Sequence, residues 1–475
     1  MNRALLTTVP LLALALSACA VGPDFTPPKA PAVNTYGGNA PDKAGIALGK
    51  TAPAAWWTSF RSDKLDKVVA MALAANHDLA ASRANLAAMR AQVDAAESGL
   101  YPHLAATAGA ARNKEDLAQF GFKMPPPVFD LYSVGGEVSY SLDLFGKTRR
   151  AIEAADAQAD AGRYELSAAS LAVAGNVAAQ AFSIAMLRAQ TAAAEDMVKA
   201  ADQSVALARL SEQRGYGSHL DLLMAETQAA ASRARLPALR QQLTMARHAL
   251  AVLVGKGPGE WQAPDFDLAD FTLPAPLPVS LPSALVHQRP DILAAEAMLH
   301  EASAKVGVAT AQAYPDITLS ASVLQGAFEP HQLFSSGYGG AGLGVGILAP
   351  LFEGGAIEAN RKSAVAGYNA AVALYEQTVV QGLNQTADLL EAVQHGRQGL
   401  AAAETANSAA QQAFAMARAS YQAGEITLPT LLEAQNHAAQ ARQSYAEARA
   451  QLLTTAARLF VATGAGWEQA LKPQK

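Results

Sequence analysis

The sequence predicts a mainly α-helical chain that carries a transmembrane β-barrel and is built from one structural unit written twice. Three observations predict it. Proline is absent between Pro127 and Pro237 and between Pro350 and Pro429, so helix can run unbroken through most of both intervals. Segments of about ten residues alternate between apolar and polar or small side chains, the period of a strand with one lipid-compatible and one wet face. Features of the first half also recur, in order, in the second. Asp78–Pro102 (DLAASRANLAAMRAQVDAAESGLYP) has a counterpart in Asp291–Pro315 (DILAAEAMLHEASAKVGVATAQAYP), displaced by 213. Leu144-Phe145 matches Leu351-Phe352 at 207, and Ala208-Arg209 with Gly215 matches Ala417-Arg418 with Gly424 at 209. Such a period is too long for a solenoid and reads as a duplicated unit of helix, two strands, long helix, turn and helix.

Composition narrows the function classes. Of 475 residues 51% are apolar, 16% charged and 6% aromatic, which excludes collagen-like and disordered chains. Alanine supplies more than a fifth of the chain, favouring closely packed helices. A formal charge of −5 leaves no basic surface for nucleic acid. One cysteine allows neither an intrachain disulfide nor a multi-cysteine metal site. The nine histidines are scattered, with no metal-ligand spacing, P-loop or nucleophile elbow, so neither an enzyme nor a metal or cofactor is expected here. Gly342, Gly344 and Gly346 form only part of a dinucleotide fingerprint and sit inside a predicted strand.

The elements follow in order. Residues 1–18 read as a secretory signal, with Arg3 before an apolar run from Ala4 to Leu16. Leu16-Ser17-Ala18-Cys19 resembles the lipobox of bacterial lipoproteins, which implies cleavage before Cys19 and covalent N-acyl and S-diacylglycerol lipid on it; Ala20 rather than aspartate then implies the outer membrane. Ordinary cleavage with Cys19 as a free thiol is the alternative. No later stretch is expected to be long and apolar enough for a transmembrane helix, so any spanning part is β-barrel. Residues 19–62 form an extended leader in which Trp56 and Trp57 are packing anchors.

The first repeat covers 63–254, with strands at about 103–113 and 134–145 and a helical hairpin over 147–254. Within it Leu166, Val173, Val177, Ile184, Leu187, Ala194, Val198 and Val205 keep a coiled-coil spacing. A Gly- and Pro-rich stretch over 255–282 reads as a linker or an irregular equatorial band. The second repeat covers 283–464, with strands at about 316–325 and 339–349 and a hairpin over 353–464; a tail follows over 465–475. Val134, Val138, Tyr140, Leu142 and Leu144 share one strand face, as do Ile317, Leu319, Ala321 and Val323, and Leu343, Val345 and Ile347. The opposite face, the candidate barrel lumen, carries Glu137, Ser139, Ser141, Asp143, Thr318, Ser320 and Ser322. Phe129, Tyr132, Phe328 and Tyr338 fall near strand ends, as interfacial aromatics do. Four strands cannot close a membrane barrel, so the chain must oligomerise; a soluble sheet buried against helices is the alternative. Each hairpin turns at a glycine, Gly215 or Gly424, with Ser218 and Asp221 spaced as a capping box and Pro429 in a first helical turn.

Together these stretches resemble the TolC-like outer-membrane efflux protein family, specifically its lipoprotein branch. The resemblance rests on CAVGPDFTPP, Trp56-Trp57, LDLFGKTRRAIEAA from Leu142, RPDILAAEAML from Arg289, AYPDITLSAS from Ala313 and PLFEGG from Pro350. It implies a homotrimer with one twelve-stranded barrel continued by a periplasmic α-helical barrel. It implies a passive duct for small molecules, lipid-anchored in the outer membrane of a Gram-negative bacterium. Its partners would be a periplasmic adaptor (membrane fusion protein), an inner-membrane RND pump and outer-membrane lipid. Carry-over assigns adaptor docking to Gly215, Tyr216, Ser218 and Leu220 with Gly424, Glu425, Thr427 and Leu428. The periplasmic gate falls to Glu425, Ile426 and Asp221: a carboxylate ring at Glu425 would favour cations, and an Ile426 ring would close by dewetting. A lipid-anchored periplasmic coiled-coil scaffold or adaptor without a pore is the alternative reading.

Overall fold

The structure, a computed structural model, describes residues 20–33, 35–37, 45–115, 121, 125–335, 337 and 339–467. The signal segment, Cys19, Tyr338 and the tail from residue 468 lie outside the described residues. In chain order the elements are β1 (Ile46–Leu48), a 3-10 turn (Trp56–Phe60), α1 (Asp63–Ala75), α2 (His77–Glu97), β2 (His103–Lys114), β3 (Val128–Leu142), α3 (Lys147–Gln213) and α4 (His219–Leu253). They continue with β4 (Leu277–Val279), one helical turn (Pro282–Leu285), α5 (Pro290–Ala311), β5 (Asp316–Ala327), β6 (Gly339–Leu348), α6 (Ala356–Gln422) and α7 (Leu428–Ala462).

The duplication is visible in these bounds. α3 and α6 each have 67 residues, α4 and α7 each 35, and every boundary of one pair maps onto the other at 209. The strand hairpins agree. His103 lies opposite Ser139 and Asp316 opposite Leu348, which relates β2 to β5 by 213 and β3 to β6 by 209. The Leu-Phe match at 207 is therefore two residues out of structural step, since the strand before it and the helix after it both map at 209.

The chain divides into two compact units. The first comprises Met1–Pro28, Leu86–Ala161 and Ala295–Tyr375. Its centre is an antiparallel sheet in the order β2-β3-β5-β6. β3 begins at Val128, earlier than the expected 134, because pairing along the whole of β2 reaches Lys114 opposite Val128. It also ends before Asp143. The expected lumenal role of Asp143 is thus corrected: its carboxylate accepts hydrogen bonds from the amides of Thr148 (3.0 Å) and Arg149 (2.9 Å) at the start of α3. First-turn amides have no helical partner and carry partial positive charge, so a carboxylate there is stabilising. The leader is pinned to this unit. Val21 donates its amide to Phe145 O at 3.0 Å, Asp24 pairs with Arg150 at 2.6 Å, and Phe25 stacks on His300 with centroids 4.4 Å apart. A Cβ on Gly22 would come within 2.4 Å of Gly307 Cα, so only glycine permits that approach.

The second unit comprises Lys29–Asn85, Gly162–Ala294 and Glu376–Lys475. Its aromatic core is Trp56, Phe60, Phe182, Phe266, Phe271 and Phe460, all buried, with Trp56 stacked on Phe460 at 5.5 Å. The predicted linker is a folded band. It contributes Phe266 and Phe271 to that core and forms β4, which pairs in parallel with β1. Its acids reach three helices: Asp265 to Arg188 (2.6 Å) and Arg247 (2.5 Å), Asp267 to Arg188 (3.2 Å), and Asp270 to Lys64 (2.8 Å). The coiled-coil stripe of α3 is buried from Leu166 to Leu187 and half-buried beyond, where the buried positions become Ala201, Ser204 and Ala208. One window of α3 is, by length and composition alone, apolar enough to cross a membrane, against expectation; most of it is buried among packed helices.

Candidate functional site: the sorted sheet and the paired helix turns

The sheet register places like against like. Leu104, Val138, Ala321 and Leu343 form one cross-strand row. Tyr140, Leu319 and Val345 form the next, followed by Leu142, Ile317 and Ile347. On the other face Glu137, Ser322 and Gly342 align, then His103, Ser139, Ser320 and Gly344, then Ser141, Thr318 and Gly346. A two-residue slip would preserve this sorting, whereas a one-residue slip would destroy it. A Cβ on Gly344 would stand 2.9 Å from Ser320 Oγ, so the glycines let the wet face carry hydroxyls without crowding.

The apolar face is exposed rather than packed on helices: Leu104 is 80% and Leu343 91% accessible. This is the reverse of the soluble-sheet alternative. Phe129 and Phe328 meet edge to face at 5.5 Å at the loop end of the strands, but unbroken alternation along β3 puts Phe129 on the face of Glu137 and Ser139; of the expected interfacial aromatics Tyr132, opposite Ala327, shares the apolar face. Among the described residues β2 pairs only with β3, and β6 only with β5, so both outer edges lack strand partners there. The polar contribution of β2, Thr107 and Gly109, escaped the sequence reading because its apolar partners are mostly alanine, which blurs the alternation.

At the far ends of the long helices the two turns close with the same pair of backbone bonds. Gly215 has φ +76° and Gly424 φ +80°, the left-handed geometry glycine adopts without penalty. Gly215 donates its amide to Glu212 O (2.9 Å) and Tyr216 to Ser211 O (2.9 Å). Gly424 donates to Tyr421 O (3.1 Å) and Glu425 to Ser420 O (2.9 Å). These are paired Schellman closures of α3 and α6. Ser218 and Asp221 then form a reciprocal capping box on α4. Thr427 occupies the equivalent position on α7 without a side-chain cap, because its hydroxyl meets that of Thr430 instead.

The turn candidates separate by exposure. Tyr216 (88% accessible), Leu220 (65%), Gly215, Ser218, Gly424, Glu425 and Thr427 are presented to solvent. Leu428 is corrected: at 3% accessible it belongs to a buried cluster with Ala208, Leu222, Ala225, Leu431 and Leu432. Ile426 is half-buried and packs against the same cluster. Asp221 is likewise occupied, accepting from the amide (3.1 Å) and hydroxyl (2.8 Å) of Ser218. Glu425 remains exposed and accepts from Ser420 Oγ at 2.9 Å. The sequence reading missed a groove beside the turns, formed by Leu220, Leu223 and Met224 of α4 with Pro429 and His437 of α7. Its signal was legible: Leu220, Leu223, Met224 and Thr227 keep i, i+3, i+4, i+7 spacing, a second stripe beside the buried one of Leu222, Ala225 and Ala229.

The model of the outer membrane efflux protein family matches residues 68–256 and again 281–465, once for each repeat. The chain belongs to that family. The pyoverdine export outer membrane protein OpmQ of Pseudomonas aeruginosa is 30% identical over 417 residues, 87% of each chain. Nodulation protein T of Rhizobium leguminosarum bv. viciae is 27% identical over 464 residues, covering 96% of this chain and 92% of its own. The solved outer-membrane channel OprN superposes with a TM-score of 0.87 at 27% identity, over 95% of this chain and all of its own. This efflux protein thus has the duplicated fold of TolC-like channels, is an outer membrane protein, and belongs to a family of ducts rather than enzymes.

Proposed function

We propose that this efflux protein is the outer-membrane duct of a tripartite export system, working as a homotrimer. The observation that carries the reading is the sheet with sorted faces and two open edges. An open edge is not tolerated in lipid, and three copies of a four-stranded sheet give twelve strands, enough to close a barrel. The apolar rows then face lipid, and Glu137, Ser139, Ser141, Thr318, Ser320 and Ser322 face the lumen. The scaffold alternative leaves the exposed rows of Leu104, Val138 and Leu343 without a role.

The anchor is lipid on Cys19. Ala20, its neighbour, lies against Gly146 at the foot of β3, close enough that a Cβ there would clash at 2.6 Å. The paired turns dock a periplasmic adaptor through Tyr216, Leu220 and the adjoining groove, and the adaptor couples the duct to an inner-membrane pump of the RND class. The cargo class is small molecules such as drugs and toxic compounds, chosen at the pump. Glu425 is the remaining candidate for a gate carboxylate.

Mass measurement in mild detergent tests the assembly, with three chains expected and one chain contradicting it. A photo-crosslinking residue at Tyr216 or Leu220 in living cells tests docking. Capture of a periplasmic hairpin adaptor supports it, and capture of peptidoglycan-associated proteins instead raises the scaffold reading.

A further inference from the structure

The two faces of the sheet exchange chemistry at its loop end. On the apolar face β3 carries Leu142, Tyr140, Val138, Gly136, Val134 and Tyr132, and apart from Gln325 the register sets them against aliphatic or alanine partners. The next residues on that face are charged. Arg112 lies opposite Asp130, 3.8 Å from it, and Lys114 follows opposite Val128; both cations are exposed. Over the same stretch the wet face turns apolar: Leu131 pairs with Ala111, Phe129 with Asn113, and Phe129 meets Phe328. Leu142 and Tyr132 are ten residues apart on β3. At about 3.3 Å per residue and a tilt of about 40°, that distance is about 25 Å along the membrane normal, the height of the apolar band of an outer-membrane barrel. Arg112 and Lys114 therefore stand just beyond the hydrocarbon, facing outward at headgroup level. All four strands join their helices at the Leu142 end, the periplasmic side, so the cations lie at the outer leaflet.

We propose that Arg112 and Lys114 form a basic ledge, one per chain, that holds the phosphate groups of a phosphorylated glycolipid in the outer leaflet. An apolar surface that ends in two cations complements a lipid whose acyl chains end beneath phosphate. The guanidinium of Arg112 binds phosphate as a fork and the ammonium of Lys114 as a point charge. Asp130 is the built-in competitor. Its carboxylate meets Arg112 only at 3.8 Å, with side chains 75% and 44% accessible, a separation and exposure at which an ion pair is weak and leaves the guanidinium donors available. The exchange of faces supports this placement independently of the strand rise, since charges facing hydrocarbon are destabilising and lose that penalty at the interface. The inference rests on the membrane-duct reading above and deepens it.

Titration of the delipidated, detergent-purified protein with lipid A, read as bound lipid by native mass measurement, tests it. Saturable binding is expected, weakened about thirtyfold in the double variant Arg112→Gln, Lys114→Gln, the effect of two cations near a lipid surface. Asp130→Asn, which removes the competing acid, is expected to tighten binding, a gain that misfolding does not produce. Lys147→Gln, at the helix end of the sheet beside Asp316, is expected to change nothing. Unchanged affinity in the double variant overturns the proposal. Equal affinity for lipid A stripped of its phosphates, or for phosphatidylglycerol, also overturns it, as does an equal loss in Lys147→Gln. Protein that inserts into no lipid vesicle overturns the membrane reading itself.

Discussion

Leu428 and Tyr216 sit at neighbouring turns of similar sequence, and their burial assigns them opposite work. Leu428 fills the cluster that joins the ends of α3, α4 and α7, so Leu428→Ala leaves a cavity and is expected to cost about 2–5 kcal/mol, read as loss of amide protection at both turns. Tyr216 is a surface residue, and Tyr216→Ala should change stability by less than about 0.5 kcal/mol while reducing adaptor capture. Ser218→Ala removes the capping-box acceptor and should cost about 1 kcal/mol, seen as faster hydrogen exchange at Leu220 to Leu222, whereas Thr427→Ala, with no side-chain cap to lose, should leave α7 unchanged. The glycines and cap spacing around these turns were legible in the sequence. What distinguished Leu428 from Leu220 was not, because burial at a turn depends on which helices converge there.

At the scale of elements, the band between the repeats is clamped by charge. Burial alone would raise the Asp265 carboxyl, but hydrogen bonds and charge from Arg247 and Arg188 outweigh it and hold it below the ordinary range. Asp270 is lowered in the same way, with Lys64 the main opposing influence. A depressed folded value means the stabilisation is present above the ordinary carboxylate value and fades as pH falls through the depressed one. Asp265→Asn is therefore expected to lower the melting temperature at neutral pH and to converge on the parent under strong acid; an equal deficit at both would assign the effect to packing. Sequence composition marked this band as a linker because Gly and Pro dominate it. Phe266 and Phe271, spaced among those breakers, give no periodic signal, and their burial arises from helices distant in sequence.

For the whole molecule, the duplication was readable because it is covalent: matched motifs fix the order of elements whatever their packing. Sidedness of the strands was readable for the same reason, since period two is a property of the chain. Asp143 was misplaced because alternation continues past the point where the helix N-terminus claims its carboxylate, and the Leu-Phe motif match stands two residues off the step that strand pairing reveals. As a duct, this chain must enclose a water-filled passage through the outer membrane. The direct measurement is ion conductance of the purified, detergent-extracted protein in planar lipid bilayers. Stable unitary steps are expected, with a cation preference that weakens in Glu137→Gln, a variant lacking one lumenal carboxylate. Folded protein that inserts as an oligomer yet never conducts would contradict the account.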